Sequence, residues 1–398
     1  MKRIFYYVLF FLHIGPLINA RSFMISCSVP YWRCELAIQT VLKHMGIFDQ
    51  VNPFSYEVNA QGLLKDTFKR KMPYWNELHT KCIRRKVPFI PTIFWTHTED
   101  MHNVLSDAIK LKNHTTEILN LVEAHKLDGI NINYERISSK DRPHYLSFLQ
   151  DLSKELHKRK LELHVSMGGR TSDSTIGLMN VTKPKTTDLL PVALSSLQPE
   201  PLKTQPITSV SLSPGSGKEA LHYKKVIAEC CDQVHIMGYD EWGTPHKYDE
   251  EHLKSEYYIS HSSNQWIEQI LTYALTYIPR HKIVLGLPTY GLEFTILNEK
   301  GKITYKKKRN ITCPIATELA HAHKKKPLRT HGGELSFTYT EGTDTRYVCY
   351  LDAQCIKEKI ALVKKYRIKG INIFTINGNE DYILWSVLEK ELLSSSLK

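Results

Sequence analysis

Past its first twenty residues the sequence has no apolar run of the ~20 residues that a membrane-spanning helix needs, so no later segment is expected to cross a bilayer. It has no tandem repeats, which argues against repeat architectures, and no separate binding module can be marked off. Cysteine is sparse. Cys27, Cys34, Cys82, Cys230, Cys231, Cys313, Cys349 and Cys355 are the eight among 398 residues, and none of their spacings reads as a metal site. No metal and no cofactor is therefore expected. The densest basic runs, Tyr305–Asn310 and His321–Arg329, do not interleave aromatics with their cations as a single-strand stacking platform does. They read as solvated loops, and no nucleic-acid partner is expected.

What is present is a globular composition, 42% hydrophobic and 24% charged, which excludes general disorder. Lys2 and Arg3 precede an apolar stretch from Ile4 to Ile18 that is interrupted by His13 and Pro16 and ends near Ala20. That pattern predicts a cleaved export signal over residues 1–20 and a secreted, periplasmic or cell-surface protein with no stable membrane insertion after cleavage. Disulfides would be permitted there, although pairing cannot be read from spacing, and some of the cysteines are expected to be plain buried thiols. The formal charge of +12 falls to about +10 without Lys2 and Arg3, and favours acidic partners only weakly. Asn113, Asn180 and Asn310 begin acceptor sequons for N-glycosylation.

Short β-branched runs alternate with helical patterns from Ser22 onward. The runs are Ser22–Val29, Asp49–Tyr56, Val87–Trp95, Leu127–Glu135, Leu161–Met167, Cys231–Asp240, Lys282–Gly291 and Lys369–Ile376. Between two of them, Tyr145, Phe148, Leu149, Leu152 and Leu156 fall on one helical face, with Pro143 in the first turn. Eight strand-helix repeats predict an α/β (β/α)8 TIM barrel over residues 21–398, acting as a monomer. Two segments break the alternation. Residues 182–218, rich in Pro, Ser and Thr, read as a poorly ordered surface loop. Residues 292–345 show no strong helix and short β-like pieces, which suits a small α+β subdomain inserted before the last strand.

The run Leu127–Arg136, LDGININYER, carries the chemistry. Side chains alternate along a strand, so Asn131, Asn133 and Glu135 share one face while Ile130, Ile132 and Tyr134 share the other. At the C-terminal end of a barrel strand, an inward acid reads as catalytic. Burial would raise the pKa of Glu135 and fit it for general-acid work near neutral pH.

At these residues the sequence resembles the family 18 glycoside hydrolases, the chitinase-like barrels, whose fourth strand carries Asp-Gly-x-Asp-x-Asp-x-Glu. Cys231–Asp240 is similar to the family's sixth-strand Met-x-Tyr-Asp and Lys282–Gly291 to its seventh-strand Gly-x-Pro-x-Tyr-Gly. The stretch through Lys369–Ile376 is similar to the approach to its eighth strand. Val165–Ser174 and Tyr239–Trp242 are most similar to the bacterial spore-cortex and peptidoglycan-directed branch, and less so to the lysosomal chitobiase type. The resemblance implies a glycan of N-acetylglucosamine as partner, with Glu135 as proton donor and the substrate's own acetamide as nucleophile. It implies catalytic roles for Glu135, Asn133 and Tyr239. It implies substrate-binding roles for Asp128, Asn131 and Asp240, with Met237 lining the pocket floor and Tyr290 its wall. Trp95 and Trp242, near the ends of the third and sixth strands, read either as further stacking surfaces or as ordinary packing.

Two departures from the family pattern bear on activity. Asn133 stands where the family has an aspartate, and a carboxamide oxygen accepts a hydrogen bond but brings no charge. Related endo-N-acetylglucosaminidases outside the family use asparagine there. Phe374 stands where the family places a tryptophan under the sugar ring, which keeps an aromatic floor of smaller area. The expectation is a retaining hydrolase of β-1,4-linked N-acetylglucosamine in peptidoglycan or chitin-like chains. The alternatives are a weak or silent lectin-like member, or an effector using the same barrel.

Overall fold

The computed structural model describes residues 23–68, 73–171, 225–243, 259–299 and 302–394. The expected signal (1–20) and the expected loop (182–218) lie outside the described residues.

The chain runs through β1 (Met24–Pro30), β2 (Gln50–Val58), a short β3 (Leu64–Asp66), β4 (Thr92–Trp95), β5 (Gly129–Tyr134), β6 (Glu162–Gly168), β7 (Gln233–Met237) and β8 (Ile283–Pro288). A second sheet follows, made of β9 (Tyr290–Glu299), β10 (Lys302–Thr312), β11 (Leu328–Arg329), β12 (Leu335–Glu341) and β13 (Asp344–Tyr350), before β14 (Gly370–Phe374) returns to the first. Eight of these strands, β1, β2, β4 to β8 and β14, are parallel neighbours, and β1 pairs with both β2 and β14. The barrel is thereby closed and carries no open parallel edge. β3 is an antiparallel extension on the end of β2.

The barrel's outer face supplies the apolar core. Ile130, Ile132 and Tyr134 of β5 are all buried, and the helix Arg142–Lys158 covers them with Tyr145, Phe148, Leu149, Leu152 and Leu156. Pro143 sits in that helix's first turn, where its missing N–H costs no intrahelical bond. Asp107, Ser263 and Asp352 cap the helices Ala108–Ala124, Asn264–Ala274 and Ala353–Tyr366 through their side-chain oxygens.

The inner face is polar. Gln233 Nε2 donates to Gln50 Oε1 at 2.9 Å, Gln50 Nε2 to Asn52 Oδ1 at 2.8 Å, and Asn52 Nδ2 to Asn372 Oδ1 at 3.1 Å. Asn372 Nδ2 continues the chain to Ser28 Oγ at 2.9 Å. Carboxamides from three strands and a hydroxyl from a fourth thus satisfy one another in a closed interior where an unpaired polar group would be costly.

The inserted sheet is antiparallel, in the order β10-β9-β13-β12-β11. It spans residues 290–350, a few residues wider at each end than the expected 292–345. It also holds a helix, Cys313–Ala322, that the sequence reading passed over. Its short apolar stripe of Cys313, Ala316 and Ala320 packs on Phe337, Val348 and Tyr350. Cys27, Cys82, Cys231, Cys313, Cys349 and Cys355 are buried free thiols.

Gly129 opens β5 where β5 and β6 come together. A Cβ there would lie 2.3 Å from the backbone oxygen of Glu162, so the two strands would have to separate. Gly129→Ala is expected to cost about 2 kcal/mol or more, the scale of core overpacking. Chemical denaturation reads this directly, and a change below about 0.5 kcal/mol, the size of an ordinary surface substitution, would contradict the close approach.

Candidate active site

Glu135 follows the last residue of β5, and its backbone N–H donates to the Trp95 carbonyl at 2.8 Å. Its side chain is 7% exposed. Loss of water pushes its pKa up to about 7; the hydrogen bond from Asn133 and the nearby Arg136 pull against that shift, while Asp240 adds to it. Asn133 Nδ2 donates to Glu135 Oε1 at 3.2 Å, whereas Asn133 Oδ1 is buried without a partner among the described residues. One rung below, Asn131 Nδ2 is held by Thr92 Oγ1 at 3.0 Å and Ser166 Oγ at 2.9 Å. The expected row of Asn131, Asn133 and Glu135 therefore forms, with the lower amide locked and the upper one left with a free acceptor.

Tyr239, Asp240, Met237, Tyr290 and Phe374 gather on the same rim. Tyr239 stacks on Phe374 with centroids 4.9 Å apart and planes 10° apart, and Tyr290 meets both rings at 6.3 and 6.5 Å. Met237 ends β7 in phase with Gln233 and His235, which face the interior, so it faces inward at the C-terminal end of the barrel. Asp240 is buried, and desolvation raises its pKa against the pull of Lys307 and Trp242.

Asp240 adopts a left-handed backbone (φ 63°), a conformation that asparagine and aspartate tolerate better than most residues. His261 helps to hold it there. Asp240 donates its backbone N–H to His261 Nδ1 at 3.1 Å, so Nδ1 carries no proton and the ring is the neutral Nε2–H tautomer. Burial also drives the His261 pKa well below its usual value, so the 3.5 Å approach of Nδ1 to Asp240 Oδ1 is not an ion pair. The segment carrying His261 is clamped by two buried carboxylates. Glu334 accepts the N–H groups of His261 and Ser262 at 3.0 and 2.8 Å, and Glu241 accepts from Ser263 at 2.6 and 2.8 Å.

Two expected positions, Asp128 and Trp95, need correction. Asp128 lies at the opposite, N-terminal end of β5, roughly 20 Å from Glu135 at about 3.3 Å per residue. It is exposed and accepts the Phe89 N–H at 2.8 Å, which is a structural cap and no contact for substrate. Trp95 points outward, buried against Tyr134 and His114 at 5.4 and 5.7 Å. Phe94 pairs in register with Asn133 and takes the inward phase instead. Trp242 sits where the barrel meets the inserted sheet, with Phe294 edge-on at 5.6 Å and Lys307 over its ring.

The sequence reading missed the aromatic wall that Phe94 joins. Phe94 stacks on Phe54 at 4.7 Å and on Tyr31 at 5.9 Å; Trp32 meets Phe54 edge-on, and Phe54 reaches Phe374 at 6.3 Å. Its signal was the alternation of β4, since a phase shifted by one residue exchanges Phe94 for Trp95. His261 carried no local signal, and Lys307 was visible only as one member of the basic run Tyr305–Asn310.

The arrangement offers two buried acids, of which Glu135 is held protonatable near neutral pH, a carboxamide oxygen without a partner among the described residues, and a continuous aromatic surface. Carboxyl carbon NMR of the labelled protein should show Glu135 titrating with a midpoint of about 7. Asp240→Asn removes an upward push and should lower that midpoint, while Asn133→Leu removes the stabilising donor and should raise it. A wild-type midpoint near the ordinary glutamate value would show that the carboxyl is wet.

Residues 94–379 match the family described as Glycosyl hydrolases family 18. The "Uncharacterized glycosylase YvbX" of Bacillus subtilis (strain 168) is 22% identical over 341 residues, 85% of this chain and 82% of its own. Among solved structures, the spore cortex-lytic enzyme SleL of Bacillus megaterium QM B1551 superposes with a TM-score of 0.68 at 20% identity, covering 95% of this chain and 76% of its own. A chitinase from Chromobacterium violaceum ATCC 12472 also reaches 0.68 at 18% identity, covering 93% of this chain and 99% of its own. The match extends over more than half of the sequence and takes in Glu135, Asn133, Tyr239, Asp240 and Phe374, and on that ground the chain belongs to family 18 of the glycosyl hydrolases.

Proposed function

We propose that the protein is a retaining glycosidase that cleaves β-1,4-linked N-acetylglucosamine in peptidoglycan or chitin-like strands by substrate-assisted catalysis. The observation that carries this reading is the pairing of a dry, protonatable Glu135 with the unfilled acceptor of Asn133, two residues away on the same strand face. In this mechanism Glu135 gives its proton to the glycosidic oxygen as the bond to the anomeric carbon breaks. The acetamide oxygen of the same sugar attacks that carbon, and the acetamide N–H is held by Asn133 Oδ1. An oxazolinium forms, with Tyr239 beside it. Glu135, now a carboxylate, takes a proton from the incoming water, which opens the ring with net retention. One acid therefore serves both steps, unlike the two-carboxylate scheme.

Asn133 also limits the rate. An aspartate would offset the positive charge of the oxazolinium, and its loss in a dry site costs about 2–4 kcal/mol, or roughly 10²–10³ in rate. That same residue favours a second reading, a slow or silent member of the family that holds glycans without turning them over.

Release of reducing ends from chitin oligomers and peptidoglycan separates the two. Hydrolysis that Glu135→Gln abolishes supports the glycosidase; no release, with glycan binding equal in wild type and Glu135→Gln, supports the binder. Because the active form of Glu135 is protonated, kcat/KM should fall about tenfold per pH unit above about 7. Asn133→Asp supplies the missing charge and should raise kcat by about tenfold or more. It also removes the donor to Glu135 and adds a like charge, so the alkaline limb should move to higher pH. A fall in kcat instead would mark asparagine as part of a working variant.

A further inference from the structure

The stretch Tyr305–Asn310 is not a uniformly solvated loop. It lies in β10, and its cations divide between the two faces of the inserted sheet. Lys308 and Arg309 meet the buried Glu293 at 3.4 and 2.6 Å, where Tyr339 also donates to that carboxylate. Lys307 pairs with Phe294 in register and so shares the other face. That face turns to the active site, because Phe294 packs edge-on against Trp242 and Lys307 Nζ lies 5.6 Å from the centroid of the Trp242 ring.

Its surroundings are those of Asp240. Lys307 draws the Asp240 pKa down and bears on His261 and Cys349, whereas Glu135 responds to Arg136 and Asp240. The ammonium thus stands on the Asp240 side of the cleft, beyond the group that Glu135 feels. Among the described residues no carboxylate lies within ion-pair distance of Lys307, unlike its neighbours Lys308 and Arg309. Lys307 is thus held over the indole ring and attracted by Asp240 from beyond ion-pair distance, which compensates a half-buried charge only in part, since buried charges are ordinarily paired directly.

We infer that Lys307 is a specificity residue that binds a carboxylate carried by the glycan, so that this cleft prefers an acidic amino-sugar chain, such as one bearing 3-O-lactyl ethers, over a neutral one. A neutral N-acetylglucosamine polymer offers nothing to pair with this ammonium. A lactyl carboxylate on an adjoining sugar would pair with it and offset the repulsion from Asp240. The inference deepens the glycosidase reading and rests on it for the kind of ligand, but its test does not require turnover.

In the Glu135→Gln background, titration calorimetry compares a lactyl-bearing amino-sugar oligomer with the same oligomer after reduction of its carboxylate to the alcohol. The carboxylate form should bind about tenfold tighter, the scale of one charge-assisted hydrogen bond. Adding Lys307→Met should bring the ratio to about one, and Lys307→Arg should keep most of it. Equal affinity for both forms while Lys307 is present would overturn the inference, as would a ratio that survives Lys307→Met. Equal weakening of both forms by Lys307→Met, with the ratio intact, would overturn it too and leave Lys307 as a partner of Asp240 only. If the ratio behaves as expected but the wild-type enzyme cleaves neither oligomer, the glycosidase reading falls and the specificity assignment stands. If both are cleaved and the ratio is one, the reverse holds.

Discussion

Everything at the open end of this barrel depends on keeping the Glu135 carboxyl dry. A carboxyl in water gives up its proton near pH 4, which would leave none to donate under ordinary conditions. The fold enforces dryness through alternation along β5, which sends Ile130, Ile132 and Tyr134 into the helical layer and turns the polar side chains into a closed interior. A closed interior admits polar groups only when they satisfy one another. The chain Gln233, Gln50, Asn52, Asn372 and Ser28 shows how that condition is met. Asn131 belongs to the same solution, bound on both sides. The pattern stops being satisfied at Asn133, whose side-chain oxygen has no partner among the described residues.

The rim above is tuned by groups far apart in sequence. Asp240 raises the Glu135 pKa, and Lys307 holds down that of Asp240. His261 accepts the backbone N–H of Asp240 and fixes a left-handed turn there, while Glu334 fixes His261 from within the inserted segment. The insertion between β8 and β14 is therefore coupled to the acid through Asp240 and is more than a wall beside the cleft.

The barrel was legible because strand and helix periods differ, and the repeat of eight strand runs leaves few other architectures. The central motif was legible for the same reason, since alternation alone puts Asn131, Asn133 and Glu135 on one face. Errors arose where alternation was not counted through. Trp95 stands at a strand end, yet register with β5 turns Phe94 inward and leaves Trp95 in the packing of the outer face. Asp128 was chosen for being a carboxylate within the motif, although it lies at the other end of the strand. The helix Cys313–Ala322 was passed over because its buried stripe of Cys313, Ala316 and Ala320 is small-sided and weakly hydrophobic. His261, Glu334 and Lys307 were illegible in a stricter sense, because each acquires its role only from a tertiary neighbour.

Lys307 shows why a charge run deserves to be divided by face before it is dismissed. In an extended strand the four consecutive cations Lys306 to Arg309 cannot share one environment, and a bulge between Lys307 and Arg309 shifts the phase once more. Lys308 and Arg309 are taken up by the buried Glu293, whereas Lys307 lies over the Trp242 ring with no carboxylate in ion-pair distance among the described residues. Net charge says nothing of this, since the chain's +12 is spread over a surface where salt screens it within about 10 Å. A single ammonium beside Asp240 in a site from which water is largely excluded acts at short range and with little screening. Selectivity for an acidic glycan would then arise from this one position and not from the overall basicity of the protein.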